Sequence, residues 1–144
     1  MAVEVKTIEA QDTFPLRQKM LRSGTSLPVE MSGDEEQHTL HLGVYDQGVL
    51  CGIASFMRTE ASSDEERYQL RGMAVDADFH GRGLGRVLME DAQRRLKARG
   101  AVQIWCNARE AAKGFYLGLG FKVEGAPFEV DQIGSHFVMR KNLN

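Results

Sequence analysis

Gly81, Gly83 and Gly85 stand at every second position in "HGRGLGR", with Arg82 and Arg86 beside them. An apolar, strand-like run precedes this stretch and a long amphipathic run follows it. Glycine reaches positive φ and carries no Cβ, so successive backbone N–H groups at such a junction can turn toward one point. The first N–H groups of the following helix have no intrahelical partner and carry partial positive charge. With the guanidinium groups of Arg82 and Arg86 they make a seat for an anion, and phosphate fits it best. A plain strand-to-helix connection needs one glycine. Each further one costs about 0.5–1 kcal/mol relative to alanine where ordinary geometry would serve.

Two familiar phosphate loops do not match. A Walker A loop ends in Lys-Ser or Lys-Thr, and neither pair follows here. A dinucleotide fingerprint needs GxGxxG and an acidic residue at the end of the next strand. This loop is GxGxG, and the next strand ends in "WCN".

The elements around the loop can be read from periodicity. Val3 and Val5 alternate with Glu4 and Lys6 as in a half-exposed strand. "TFPLRQKMLR" reads as a helix with Pro15 in its first turn, and "SGTSLPVEMSGDEEQ" as a loop or irregular helix. "HTLHLGVYDQGVLCGIASFMR" reads as a hairpin about "DQG", "SSDEER" as a charged loop, and "YQLRGMAV" as the next strand. In the long helix Leu84, Leu88, Ala92 and Leu96, with Val87, form a core-facing stripe. Glu90–Arg94 and Asp91–Arg95 are favourably oriented i,i+4 pairs, and "RRLKAR" is a solvated helix end before Gly100. Then come "VQIWCN" (strand), "EAAKGFYLGL" (helix), "FKVEGAP" and "SHFVMRK" (strands). The order β-α-β-β-β-α-β-α-β-β implies a mixed sheet with helices packed on it.

"HGRGLG", from His80 to Gly85, resembles the [RQ]xxGx[GA] loop of the GNAT superfamily of acetyl-coenzyme A-dependent N-acetyltransferases, with His80 in place of Arg or Gln. "AAKGFYLGLGF" resembles that family's AxxFYxxxGF signature, filled by Ala112, Phe115, Tyr116, Gly120 and Phe121. The resemblance implies an α+β fold: one domain over residues 1–144, three layers α/β/α, and a mixed, mostly antiparallel sheet of about seven strands. It also implies acetyl-coenzyme A as co-substrate, its pantetheine arm lying beside Met73, Ala74 and Val75 where two strands splay apart. The pyrophosphate falls to His80, Gly81, Arg82, Gly83, Leu84, Gly85 and Arg86. Asn107 could reach the arm or simply form a turn, and Ala112 to Gly114 would wall the coenzyme. Arg109 stands where many members carry Asn, seven residues before Tyr116.

The implied reaction is direct attack of a primary amine on the thioester, with a small molecule or a protein amino group as acceptor. A non-catalytic acyl-coenzyme A sensor is the alternative. Turnover needs an oxyanion donor, for which backbone N–H groups near Val75 are placed. It also needs a partner for the departing thiolate, the role the resemblance gives to Tyr116. A phenol of pKa about 10 is a weaker acid than a thiol of about 8.5, so Tyr116 acts first as a hydrogen-bond donor. An amine of pKa about 10.4 is neutral in about one molecule per several thousand at pH 7, so a base must collect its proton. Glu66, Glu129, Asp131 and His136 are the candidates.

Composition narrows the field. The 144 residues carry a net charge of -2, with 42% hydrophobic and 26% charged, which argues against nucleic acid or a membrane as partner. Cys51 and Cys106 form no ligand motif and suit a reducing, cytoplasmic setting. His38 and His41 would face opposite sides of a strand, so no metal is expected. The acidic runs in "GDEEQ" and "SSDEER" read as solvated loops that could draw in cationic amines. A strand edge near the C terminus could support a homodimer.

Overall fold

A computed structural model describes residues 2–59 and 65–143. Strand β1 (Val3–Thr7) leads to helix α1 (Ala10–Arg17), which runs on into a widened π-type turn (Gln18–Arg22). Strands β2 (Leu40–Asp46), β3 (Val49–Thr59) and β4 (Glu66–Val75) follow, then a 3-10 turn (Ala77–Phe79) and helix α2 (Leu84–Ala98). Strand β5 (Ala101–Arg109), a 3-10 turn (Glu110–Ala112), helix α3 (Lys113–Gly118) and strands β6 (Lys122–Val130) and β7 (Gly134–Asn142) complete the order. The seven strands form one sheet, β1-β2-β3-β4-β5-β7-β6. Strands β4 and β5 run parallel, and the other neighbours are antiparallel. The expected mixed, mostly antiparallel sheet is the one observed.

Helices cover both faces. On one, Leu16 of α1 packs with Ile53 and Ala74. On the other, Leu84, Leu88, Ala92 and Leu96 of α2 meet Leu42, Phe56, Ile104 and Met139, joined by Tyr116 and Phe121. Val87 is 39% exposed, and Met89 is buried in the place the stripe had given it. Glu90 pairs with Arg86 at 3.8 Å rather than with Arg94, which turns to Asp91 at 3.5 Å, the carboxylate that Arg95 also takes. None of the described helices is long and apolar enough to cross a membrane.

Helix α1 starts three residues earlier than its periodicity suggested. The Glu9 amide donates to the Asp12 carboxylate at 2.9 Å, closing a first turn from Ala10. Pro15 therefore falls inside the helix, where it has no N–H to give the carbonyl of Gln11. Arg17 is fully buried and holds Asp34 through both carboxylate oxygens at 2.9 Å. It also donates to the Val29 carbonyl and to Ser55 Oγ, each at 2.9 Å. His41 bridges Ser55 Oγ (2.7 Å) and the Asp34 carbonyl (2.9 Å). Asp34 is thus locked in the interior, not a solvated charge of "GDEEQ". Of "SSDEER", residues 62–64 lie outside the described residues, while Glu66 and Arg67 already belong to β4.

The sheet opens at one point. β4 and β5 pair from Glu66/Ala101 to Leu70/Cys106 and no further, although β4 continues to Val75 and β5 to Arg109. Between Arg71 and Ala74 the β3–β4 register slips by one residue, a bulge centred on Gly72 at φ +62°. Before it, Tyr68 and Leu70 face the α2 side; after it, Met73 and Val75 do. One extra residue exchanges the two faces of the strand at the mouth of the opening.

Candidate active site

Two cavities meet at this opening. The first, of about 510 Å³, is lined by the end of β4, the glycine loop, the start of α2 and the start of α3. The second, of about 740 Å³, lies between the π-type turn, residues 27–32, the outer half of β4, the end of β5 and the β6–β7 turn. Met73, Ala74, Val75, His80, Ala112 and Tyr116 line both. Those six residues form the passage between them.

The glycine loop is built by two different constraints. Gly81 and Gly83 sit at φ +81° and +72°, where an L side chain is strained, yet a Cβ there would meet nothing. Gly85 is helical, and its Cβ would come within 3.2 Å of the Phe115 ring. The first two glycines serve conformation and the third serves packing. With α2 starting at Leu84, the loop and the unpaired N–H groups of the first helical turn open into the first cavity. A phosphate group fits this cradle, and the partnerless edge of β4 beyond Leu70 suits an extended, hydrogen-bonding chain.

Of the thirteen residues expected around the coenzyme, Met73, Ala74, Val75, His80, Gly81, Gly83, Leu84, Gly85, Arg86 and Ala112 line the first cavity. Arg82 does not. Its guanidinium lies 5.1 Å from the Phe79 ring centroid and reaches the Asp46 carboxylate, which lines neither cavity, at 3.3 Å. Gly114 does not either: its Cα faces open space, and α3 turns Phe115 and Tyr116 inward instead. Asn107 forms no turn. It stands within β5 opposite Val138 and lines the second cavity. His80, in place of the family's Arg or Gln, folds back so that Nε2 lies 2.7 Å from the Val75 carbonyl. Arg86 donates to the Gly118 carbonyl at 3.1 Å, tying α2 to α3.

Tyr116 packs edge-on between Phe115 and Phe121, with centroids 5.2 and 5.3 Å away, and is 5% exposed. Burial, and then the neighbouring Cys106 thiol, push its phenol above the usual range. Burial pushes the Cys106 thiol up to about 12. Both groups are therefore neutral at physiological pH. Among the four candidate bases, only His136 lines either cavity. Its Nδ1 lies 3.0 Å from the Gly134 carbonyl, which makes Nδ1 the donor and leaves Nε2 as the acceptor. Glu66 is tied to Arg58 at 3.5 Å at the paired end of β4, away from the opening. Glu129 and Asp131 are exposed in the last hairpin.

Sequence reading missed Phe79 and Phe115 in the first cavity, and Arg22 and Arg71 in the second. Phe115 had a signal, since it fills a signature position. Arg22 and Arg71 had none, because only the fold brings them together. Burial, then the charges of Arg109, Arg71 and Arg17, lowers the proton affinity of Arg22. Burial, then Arg17, does the same to Arg71, partly offset by Asp34, and burial alone does so to Arg109.

Comparison with known proteins agrees with this geometry. Residues 15–143 match the family model described as the acetyltransferase (GNAT) domain. The chain is 39% identical to the uncharacterized N-acetyltransferase YitI of Bacillus subtilis (strain 168), over 98% of this chain and 97% of that protein. An acyl-CoA N-acyltransferase structure from Pseudomonas aeruginosa superposes with a TM-score of 0.79 at 17% identity, covering 96% of this chain and 99% of that one. An aminoglycoside 6'-N-acetyltransferase solved with coenzyme A gives 0.76 at 13% identity, with 98% and 97% covered.

Proposed function

The chain belongs to the GNAT acetyltransferase family, and from that premise we propose that it moves an acetyl group from acetyl-coenzyme A to a primary amine by direct attack in a ternary complex. The observation that carries the reading is the meeting of two cavities across the β4–β5 opening, with Tyr116 in the passage. One cavity suits the coenzyme, with the diphosphate on the Gly81–Arg86 loop and the pantetheine arm along Met73 to Val75. The other suits the acceptor. Residues 1–144 act as one domain.

In this reading His136 Nε2 takes the proton of the attacking amine. A C–N bond forms as the thioester C–S bond breaks, and backbone N–H groups of the unpaired β4 stretch face the developing oxyanion. The Tyr116 hydroxyl donates a hydrogen bond to the departing sulfur. Its raised proton affinity, caused first by burial, makes full proton transfer less favourable than in water, so donation is its role. The thiolate collects its proton from solvent as the product leaves.

The test is free-thiol release from acetyl-coenzyme A across a panel of amines, with coenzyme A binding followed by calorimetry. Binding together with amine-dependent release is expected. No binding at millimolar coenzyme A overturns the reading, and binding without release for any amine points to a sensor.

A further inference from the structure

Acetyl transfer as such does not require the charge carried by the second cavity. Arg22 at the end of the π-type turn, Arg71 beside the β4 bulge and Arg109 at the end of β5 all line it, and all three are half-buried. Among the described residues none of them makes an ion pair. Two are aimed by backbone carbonyls, Arg22 Nε donating to Pro28 at 3.0 Å and Arg109 Nη2 to Leu21 at 2.8 Å. Such bonds hold a guanidinium in place without neutralising it. Glu30 is the one carboxylate lining this cavity among the described residues; it is exposed and pairs with none of the three. The nearby Asp34 is already held on both oxygens by Arg17.

Like charges held together away from water raise the free energy of the empty protein, as the lowered proton affinities of Arg22 and Arg71 reflect. An anion in the cavity relieves that cost, because guanidinium groups form strong charge-assisted bonds with carboxylate and phosphate. A polyamine or lysine-rich segment would instead meet repulsion. In "GDEEQ", Asp34 is spent on Arg17, and neither Glu35 nor Glu36 lines the cavity.

We propose that the acceptor amine carries an anionic group, a carboxylate or a phosphate, which Arg22, Arg71 and Arg109 bind while the amine faces His136 and the strand opening. The proposal rests on the acetyltransferase reading above and names the substrate class that reading leaves open. The bond that forms is amine nitrogen to acetyl carbon, the bond that breaks is carbon to sulfur, and the anionic group is a handle that does not react.

Thiol release is measured with α-amino acids against their C-terminal amides, phosphoethanolamine against ethanolamine, and spermidine and a lysine-rich peptide as cationic controls. An anionic amine is expected to exceed its neutral counterpart by about 10- to 100-fold in kcat/KM. Whether the carboxylate or the phosphate pair shows the preference identifies the anion. Arg71→Gln and Arg22→Gln should each raise KM for that amine and shrink the ratio, with coenzyme A affinity unaltered. Arg71→Lys, which keeps the charge, should retain part of the preference. Melting temperatures should hold or rise in the Gln variants, since each removes a repelling charge.

A neutral or cationic amine as the best acceptor overturns the proposal. So does a ratio that survives in both Gln variants, or a protein that acetylates other amines but no anionic one. Failure to bind coenzyme A is a different result, and it removes the transferase reading itself.

Discussion

Tyr116 lines the passage between the cavities and His136 lines the second cavity, and each has a distinct kinetic signature. Tyr116→Phe keeps the ring contacts with Phe115 and Phe121 and removes only the hydroxyl. Its kcat is expected to fall about 10- to 1,000-fold with coenzyme A affinity unaltered; single-turnover kinetics and calorimetry on the same preparation check this. Wild-type turnover would take the residue out of the mechanism. For His136→Gln the expected result is a fall in kcat of about 100-fold or more at neutral pH with coenzyme A affinity unaltered. The groups facing His136 are Arg109 across the β5–β7 register and the Phe128 ring, 5.8 Å between centroids. Wild-type turnover in this variant moves the base elsewhere. Tyr116 was legible because it fills a signature position. His136 was one of four candidates, and only the fold shows that it alone of the four lines a cavity: all four are polar residues near the termini of strands, and distance to the opening is not written in their spacing.

At the scale of elements, the glycine loop and the buried Arg17–Asp34 pair do separate work. Gly83 holds φ +72°, so Gly83→Ala carries a left-handed strain of about 1–2 kcal/mol with no new clash. Relief of that strain would turn the loop amides away from the first cavity. Coenzyme A affinity is expected to fall about tenfold, with only a small drop in melting temperature, and an unchanged Kd would show that the loop does not hold the diphosphate. Asp34 acts on the other cavity by pinning residues 29–34 against α1. Asp34→Asn leaves Arg17 buried without its counter-charge and should cost about 3–5 kcal/mol in denaturant unfolding. Burial pushes the Asp34 carboxyl up, but the Arg17 and Met31 hydrogen bonds outweigh it and hold the carboxyl below the ordinary carboxylate range. A depressed folded value contributes stability that is complete above about pH 4 and is lost as pH falls through that lower value. Wild-type protein should therefore lose stability more steeply below pH 4 than Asp34→Asn does, as acid titration of the urea midpoint would report. Nothing in "GDEEQ" separates Asp34 from Glu35 and Glu36, because a buried partner seventeen residues away leaves no local mark.

The molecule as a whole is a sheet deliberately left unpaired along half of two parallel strands, with one cavity on each side of the gap. A ligand filling the first cavity bridges β4, α2 and α3, so coenzyme A at a hundredfold its Kd should stabilise the fold by about 2.7 kcal/mol. That corresponds to a rise of about 5–10 °C in melting temperature, and Tyr116→Phe should keep the whole of it. The sequence by itself determined the order of the elements, the mixed sheet and the glycine loop. Those depend on local terms: hydrophobic period, φ at glycine, and the carbonyls and amides at helix ends. Only the tertiary structure decided that Arg82 leaves the first cavity for Asp46, and that β4 exchanges its faces at Gly72. It alone gathers Arg22, Arg71 and Arg109 around one cavity. Each of these follows from contacts between residues far apart in the chain, whose energies depend on distances that no spacing of letters encodes.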